Sequence, residues 1–155
     1  MFLTYYKKTA LFIIVAVFLV TIDRFLKSLA INNDLSASFN LISDIFTFNF
    51  APNYNIAFSL PLAGLGLNVL ILLIIIILLY FFVYLFDKKD KNAYYIGFVL
   101  LGAISNLYDR IVHGFVIDYL DLRYFTVFNV ADMMIVMGCF VLLVNEFKKT
   151  KTLKL

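Results

Sequence analysis

Four stretches of this chain are long and apolar enough to cross a lipid bilayer, and that pattern leaves few folds open. A helix needs about 20 consecutive apolar residues to span the hydrocarbon core. The stretches run from about Thr9 to Ile31, Leu62 to Phe86, Ala93 to Val112 and Val127 to Phe147. The second contains the purest run, Val69 to Phe86. Hydrophobic residues make up 64% of the 155, against roughly 45–50% in a soluble domain, and the mean hydropathy is +0.97. The chain therefore reads as an all-α membrane protein, a four-transmembrane-helix bundle, with residues 1–155 as a single integral membrane domain. The first stretch follows Lys7-Lys8, as the core of a secretory signal would. Thr21-Ile22-Asp23 is no small-residue cleavage site, so a retained helix is expected.

The basic residues orient the bundle. Lys7 and Lys8, then Lys88, Lys89 and Lys91, then Lys148, Lys149, Lys151 and Lys154 account for nine of the thirteen, and the loop from about Asn32 to Pro61 carries none. By the positive-inside rule both termini are cytoplasmic and that long loop lies outside. Such short membrane-flanking clusters serve topology, so no nucleic-acid partner is expected. One cysteine and one histidine exclude an internal disulfide and a zinc site of the usual His/Cys kind. No carboxylate spacing suggests another metal, so neither metal nor cofactor is predicted. Within the outer loop, Ile45-Phe46-Thr47-Phe48-Asn49-Phe50 alternates apolar and polar residues with the period of a half-buried strand. Two readings fit it: a loop packed on the helix ends, or a small sheet on the outer membrane surface.

Seven of the ten acidic residues, Asp23, Asp34, Asp44, Asp109, Asp118, Asp121 and Asp132, fall at the end opposite the lysines. Carboxylates at the edge of hydrocarbon are costly, which makes function the default reading. Asn106, Asp109 and Arg110 share a helix face by their spacing of three and four. That face is polar one turn into the bilayer, where a buried amide needs partners. Asp118 sits in Gly114-Phe115-Val116-Ile117-Asp118-Tyr119, surroundings that raise a carboxyl pKa by disfavouring its charged form. Asp121 and Arg123 are read as a surface pair. Asn129, three residues before Asp132, fits an N-cap with a capping-box partner, and a helix N-terminus also orients a catalytic carboxylate. Asp118 and Asp132 are the candidate pair. Brought together, two carboxylates share a proton, so that one activates water while the other polarises a carbonyl. Sequence alone permits that meeting without showing it.

Taken together, these segments resemble the lipoprotein signal peptidase (signal peptidase II) family of bacterial membrane aspartic proteases. Asp23-Arg24-x-x-Lys27 resembles the family's Asp-x-x-x-Lys pattern, and Asn53-x-x-x-Ala57-Phe58-Ser59 its Asn-x-Gly-x-Ala-Phe-Ser motif. Gly102-Ala103-x-x-Asn106-x-x-Asp109-Arg110 resembles its Asn-x-x-Asp-Arg motif. Val116-Ile117-Asp118 and Phe128-Asn129-Val130-Ala131-Asp132 resemble the two segments carrying the catalytic aspartates. Each match alone is weak; five in order on a four-helix topology are specific. The resemblance implies Asp118 and Asp132 as the catalytic pair, with Asn106, Asp109, Arg110 and Asn129 shaping the site. It places Asp23 and Asn53 nearby, on the substrate backbone or steadying the outer loop. It further implies a small extracytoplasmic β-element and a prolipoprotein substrate with a diacylglyceryl cysteine, cleaved just before that cysteine. The site would face the extracytoplasmic side of a bacterial cytoplasmic membrane, among membrane lipid, in a chain read as a monomer. Two family glycines are replaced, by Asn55 and Ser105. Asn tolerates positive φ better than most residues, and Ser105 is small enough for close helix packing.

Rival classes fit less well. A proton- or ion-coupled transporter places its acidic groups nearer the midplane and shows repeat symmetry. A purely structural subunit leaves the Asn106/Asp109/Arg110 and Asn129/Asp132 faces without a purpose. A Ser-Lys peptidase fails because Ser28, beside the outward Lys27, points away from it on a helix.

Overall fold

The computed structural model describes residues 2–32, 39–42, 45–54 and 64–152. Four long helices, α1 (Phe2–Asn32), α2 (Leu65–Asp87), α3 (Asn92–His113) and α4 (Val130–Thr152), are each long and apolar enough to span a membrane. A four-stranded antiparallel sheet accompanies them, with β1 (Phe39–Ile42), β2 (Phe46–Asn53), β3 (Val116–Leu122) and β4 (Val127–Phe128) in that spatial order. The expected four-helix membrane fold with a small β-element is therefore present.

α3 is the central helix. Half of its spanning segment is buried, against α4 on one side and α2 on another. α2 buries only Leu67 and Ile75 and presents Leu72, Leu73, Ile76, Ile77 and Phe81 outward. An all-round apolar helix is stable there only in lipid. Small residues bring α3 and α4 together, as usual where lipid supplies no hydrophobic drive between helices. A Cβ on Gly102 would meet the Ala131 carbonyl oxygen at 2.5 Å, and one on Gly138 would meet Val99 Cγ2 at 2.6 Å. α3 ends at Gly114, whose φ of 83° suits a residue without Cβ and whose N–H donates to the Arg110 carbonyl.

The alternating segment forms most of β2. Phe48 is its buried residue, packed on Tyr119 of β3 with ring centroids 5.6 Å apart. Ala30, Phe48, Ile117 and Tyr119 form a core where the sheet meets the C-terminal end of α1. The sheet is larger than the alternation suggested. Residues 116–122, read as an outer connection, form β3, which is buried from Val116 to Tyr119. Val127 and Phe128, read as the start of the fourth helix, form β4 instead. Asp121 and Arg123 make no ion pair with each other among the described residues; the Arg123 guanidinium lies 5.9 Å from the Tyr124 ring centroid. Asp34, Asp44, Asn55 and the Ala57-Phe58-Ser59 segment fall outside the described residues.

Candidate active site

The N-terminus of α4 organises the site. A helix leaves its first four N–H groups without intrahelical partners, and here each finds one. Val130 N–H donates to the Tyr119 hydroxyl at 3.1 Å and Ala131 N–H to Asp23 Oδ1 at 3.2 Å. Asp132 N–H donates to Asn129 Oδ1 at 2.8 Å, and the first regular helical bond runs from Met133 N–H to the Asn129 carbonyl at 3.3 Å. Asn129 N–H returns to Asp132 Oδ2 at 3.2 Å, completing the reciprocal capping pair. The capping pair also fixes where the Asp132 carboxylate points.

Asn129 ties the two candidate carboxylates to one another. It is fully buried, and its Nδ2 donates to Asp118 Oδ1 at 2.7 Å while its backbone and side chain hold Asp132. Asp118 Oδ2 accepts from Asn53 Nδ2 at 3.0 Å. The sheet register arranges this contact. Asn53 pairs with Val116, so Asp118, two residues on, is its diagonal neighbour on the same face. Asp132 Oδ1 accepts from Asn106 Nδ2 at 2.7 Å. Asp118 is 2% exposed. Burial first, and the Asp132 charge second, push its pKa up to about 6.

A buried ionic cluster underlies the pair. Arg24 Nη2 lies 2.6 Å from Asp109 Oδ1, and Lys27 Nζ lies 2.7 Å from Asp109 Oδ2 and 3.2 Å from Asp23 Oδ2. Asp109 also accepts from Ile117 N–H, which ties α3 to β3. Asp23 is completely buried and accepts from Ser105 Oγ at 2.7 Å and from the Tyr119 hydroxyl at 3.1 Å. Its position is that of a joint between α1, α3, β3 and α4. Burial, and next the Asp23 charge, hold the Tyr119 hydroxyl above its usual pKa, so it keeps the proton it donates. Arg110 is half-buried, within electrostatic reach of Asp109, Asp118 and Asp132.

The structure thus gathers Asp23, Asn53, Asn106, Asp109, Arg110, Asp118, Asn129 and Asp132 around one centre. Sequence reasoning assigned no role to Arg24, Lys27 or Tyr119, and treated Ser105 only as a small substitute for glycine. The i,i+4 spacing of Asp23 and Lys27 was a signal for one of these contacts. Tyr119 gave none, because its significance depends on β3, whose apolar run hides a strand's period.

Fold and site together define a membrane-embedded enzyme with a paired-carboxylate centre at the end of its helical bundle. Residues 15–148 match the model of the signal peptidase II family. The chain is 35% identical over 150 residues to the lipoprotein signal peptidase of Microcystis aeruginosa, covering 92% of this chain and 95% of that one. It is 36% identical over 155 residues to the lipoprotein signal peptidase of Nostoc punctiforme, covering 94% of each. A solved bacterial membrane enzyme, determined by the in meso method at 2.3 Å, superposes with a TM-score of 0.79 at 26% identity, covering 92% of this chain and 91% of that one. The chain belongs to the signal peptidase II family, aspartic proteases that cleave signal peptides from prolipoproteins, and is a multi-pass bacterial membrane protein.

Proposed function

We propose that this chain cleaves diacylglyceryl-modified prolipoproteins just before the lipidated cysteine, with Asp118 and Asp132 as its catalytic pair. The observation that carries the reading is Asn129, one buried residue hydrogen-bonded to both carboxylates. Two like charges held this way share one proton and titrate as a unit. The ionised carboxylate takes a proton from water as the water oxygen bonds to the scissile carbonyl carbon. The protonated carboxyl gives its proton to the carbonyl oxygen. Collapse of the tetrahedral intermediate breaks the C–N bond: the carboxyl that took the proton from water gives it to the departing nitrogen, and a hydroxyl of the intermediate returns its proton to the other carboxylate, which restores the pair. Asn53, Asn106 and Asn129 supply the donors that fix the carboxylates, and Asp23, Asp109 and Arg110 support them. The chemistry requires neither metal nor cofactor.

A lipid-bearing substrate suits the surroundings. A groove of about 370 Å3 runs between α1, α3 and α4, lined by Leu19, Phe98, Met133, Met134 and Met137 among others. Its lining includes Val130 and Met133, on either side of Asp132 in the chain, and its methionines adapt to varied apolar shapes. The lysine asymmetry puts both termini in the cytoplasm and the catalytic pair at the extracytoplasmic face. The chain acts as a monomer and a single domain within membrane lipid.

The test is cleavage of a diacylglyceryl-modified prolipoprotein peptide beside its unlipidated twin. Cleavage of the modified peptide alone, before the cysteine, is expected. Equal cleavage of both would refute lipid recognition, and cleavage of neither would refute the substrate class.

A further inference from the structure

Lys27 is sealed inside the site, with its side chain 1% exposed. Its ammonium reaches three acceptors: Asp109 Oδ2 at 2.7 Å, Asn106 Oδ1 at 2.9 Å and Asp23 Oδ2 at 3.2 Å. An ammonium has three N–H bonds and no lone pair, so every atom it faces must be an acceptor. Asn106 carries the consequence. Which end of an amide faces which neighbour follows from the network, and only its oxygen can face an ammonium. With the oxygen on Lys27, the NH2 group faces Asp132 Oδ1 at 2.7 Å. The same Asn106 oxygen accepts from Asn129 Nδ2 at 3.3 Å, and that amide group also donates to Asp118. One cation thereby fixes the direction of the Asn106 hydrogen bond to Asp132.

Charge balance points the same way. Among the described residues, the cations facing the centre are Arg24 and Lys27 from α1 and Arg110 from α3. The acids among those residues are Asp23 from α1, Asp109 from α3, Asp118 from β3 and Asp132 from α4. Tyr119 of β3 is the neutral donor to Asp23. His113 and Arg123 are exposed and Asp121 is partly exposed. Three cations neutralise Asp23, Asp109 and one further negative charge, which is the charge of a pair holding a single proton.

We propose that Lys27 is a positioning residue for the aspartate pair, turning the Asn106 amide toward Asp132 and supplying the positive charge that lets the pair carry one negative charge. The proposal rests on the assignment of Asp118 and Asp132 as catalytic. Lys27 does not reach the surface, so it acts without touching substrate.

The experiment is a pH series of kcat and KM on folded, detergent-purified Lys27→Met and Lys27→Arg with the lipid-modified peptide. Lys27→Met is expected to lower kcat by roughly 10–100-fold, the loss of a hydrogen bond from a charged group, with KM unchanged. Removing a cation makes the pair hold its proton more tightly, so the alkaline limb of the Lys27→Met profile moves up by about one pH unit. Lys27→Arg keeps the charge and keeps the wild-type limb. Should Lys27→Met fail to fold, Lys27→Gln removes the same single charge while keeping a donor and carries the same pH test. An unshifted limb in a folded neutral variant, or failure of both neutral variants to fold, would overturn the proposal and leave an architectural lysine. Asp118→Asn and Asp132→Asn run alongside. If either is active, the catalytic assignment fails; if both are dead and the limb does not move, only the role of Lys27 fails.

Discussion

Tyr119→Phe removes a single oxygen from the interior, and its cost follows from the two bonds that oxygen makes. The hydroxyl donates to Asp23 Oδ1 at 3.1 Å and accepts from Val130 N–H at 3.1 Å. Tyr119 is 0% exposed, so bulk water cannot replace it, and one missing oxygen leaves too little room for a bound water. An unpaired buried N–H costs about 1–3 kcal/mol, and a hydrogen bond to a charged group contributes about 1.5–3 kcal/mol. Asp23 keeps Ser105, Ala131 N–H and Lys27, which softens the second loss. The expected destabilisation is about 2–4 kcal/mol. Because Val130 lies two residues before Asp132, loosening the first turn of α4 also displaces that carboxylate, and kcat falls with stability. Equilibrium unfolding in mixed micelles, followed by peptide cleavage at matched folded fraction, measures both. Wild-type stability in Tyr119→Phe would refute the claim that this hydroxyl caps α4. Lost stability with an unchanged rate per folded molecule would refute the link to Asp132.

Three further outcomes are expected. Gly102→Ala drives a Cβ to 2.5 Å from the Ala131 carbonyl oxygen, so α3 and α4 must separate beside the site; overpacking of this kind costs about 1–3 kcal/mol, and a thermal scan showing no loss would contradict the packing. The Asp118 pKa, pushed up to about 6 in the fold from 3.8, means the native state holds a proton the unfolded chain releases. Stability therefore declines as pH rises from about 4 to about 6 and levels off above that. Asp118→Asn lacks this decline, so its stability relative to wild type grows over the same window by roughly 2 kcal/mol; a constant difference across the window contradicts the assignment. In a Cys139→Ala background, Asn40→Cys in β1 is expected to react with a membrane-impermeant thiol reagent added outside intact cells, and labelling from the cytoplasmic side alone reverses the orientation.

The helices were legible because a bilayer imposes a length and an apolar composition that a sequence displays directly. The capping pair at Asn129 and Asp132 was legible for a related reason: its three-residue spacing is local. β2 showed itself through alternation, with Phe48 as the inward residue. β3 did not, since Val116-Ile117-Asp118-Tyr119 is buried throughout and carries no period of two. β4 has only two residues and adjoins an apolar helix, so it merged with that helix in the sequence reading. The roles of Lys27 and Tyr119 depend on partners far along the chain. Lys27 meets Asn106, 79 positions away, and Tyr119 meets Asp23, 96 positions away. Such contacts follow from the way α1, α3 and β3 converge, which no local pattern states.

The central claim is that Asp118 and Asp132 act as one proton-sharing unit. Its most direct test is the cleavage rate of the lipid-modified peptide by folded, purified Asp118→Asn, Asp132→Asn and the double variant. An amide preserves the volume of each carboxyl but can neither ionise nor share a proton, so each single variant is expected to lose turnover almost completely. The double variant should be little worse than either, because residues that act as a unit are not additive. Asp121→Asn, at a partly exposed position on β3, should retain substantial activity as the control. Near wild-type cleavage by either single variant would contradict the account.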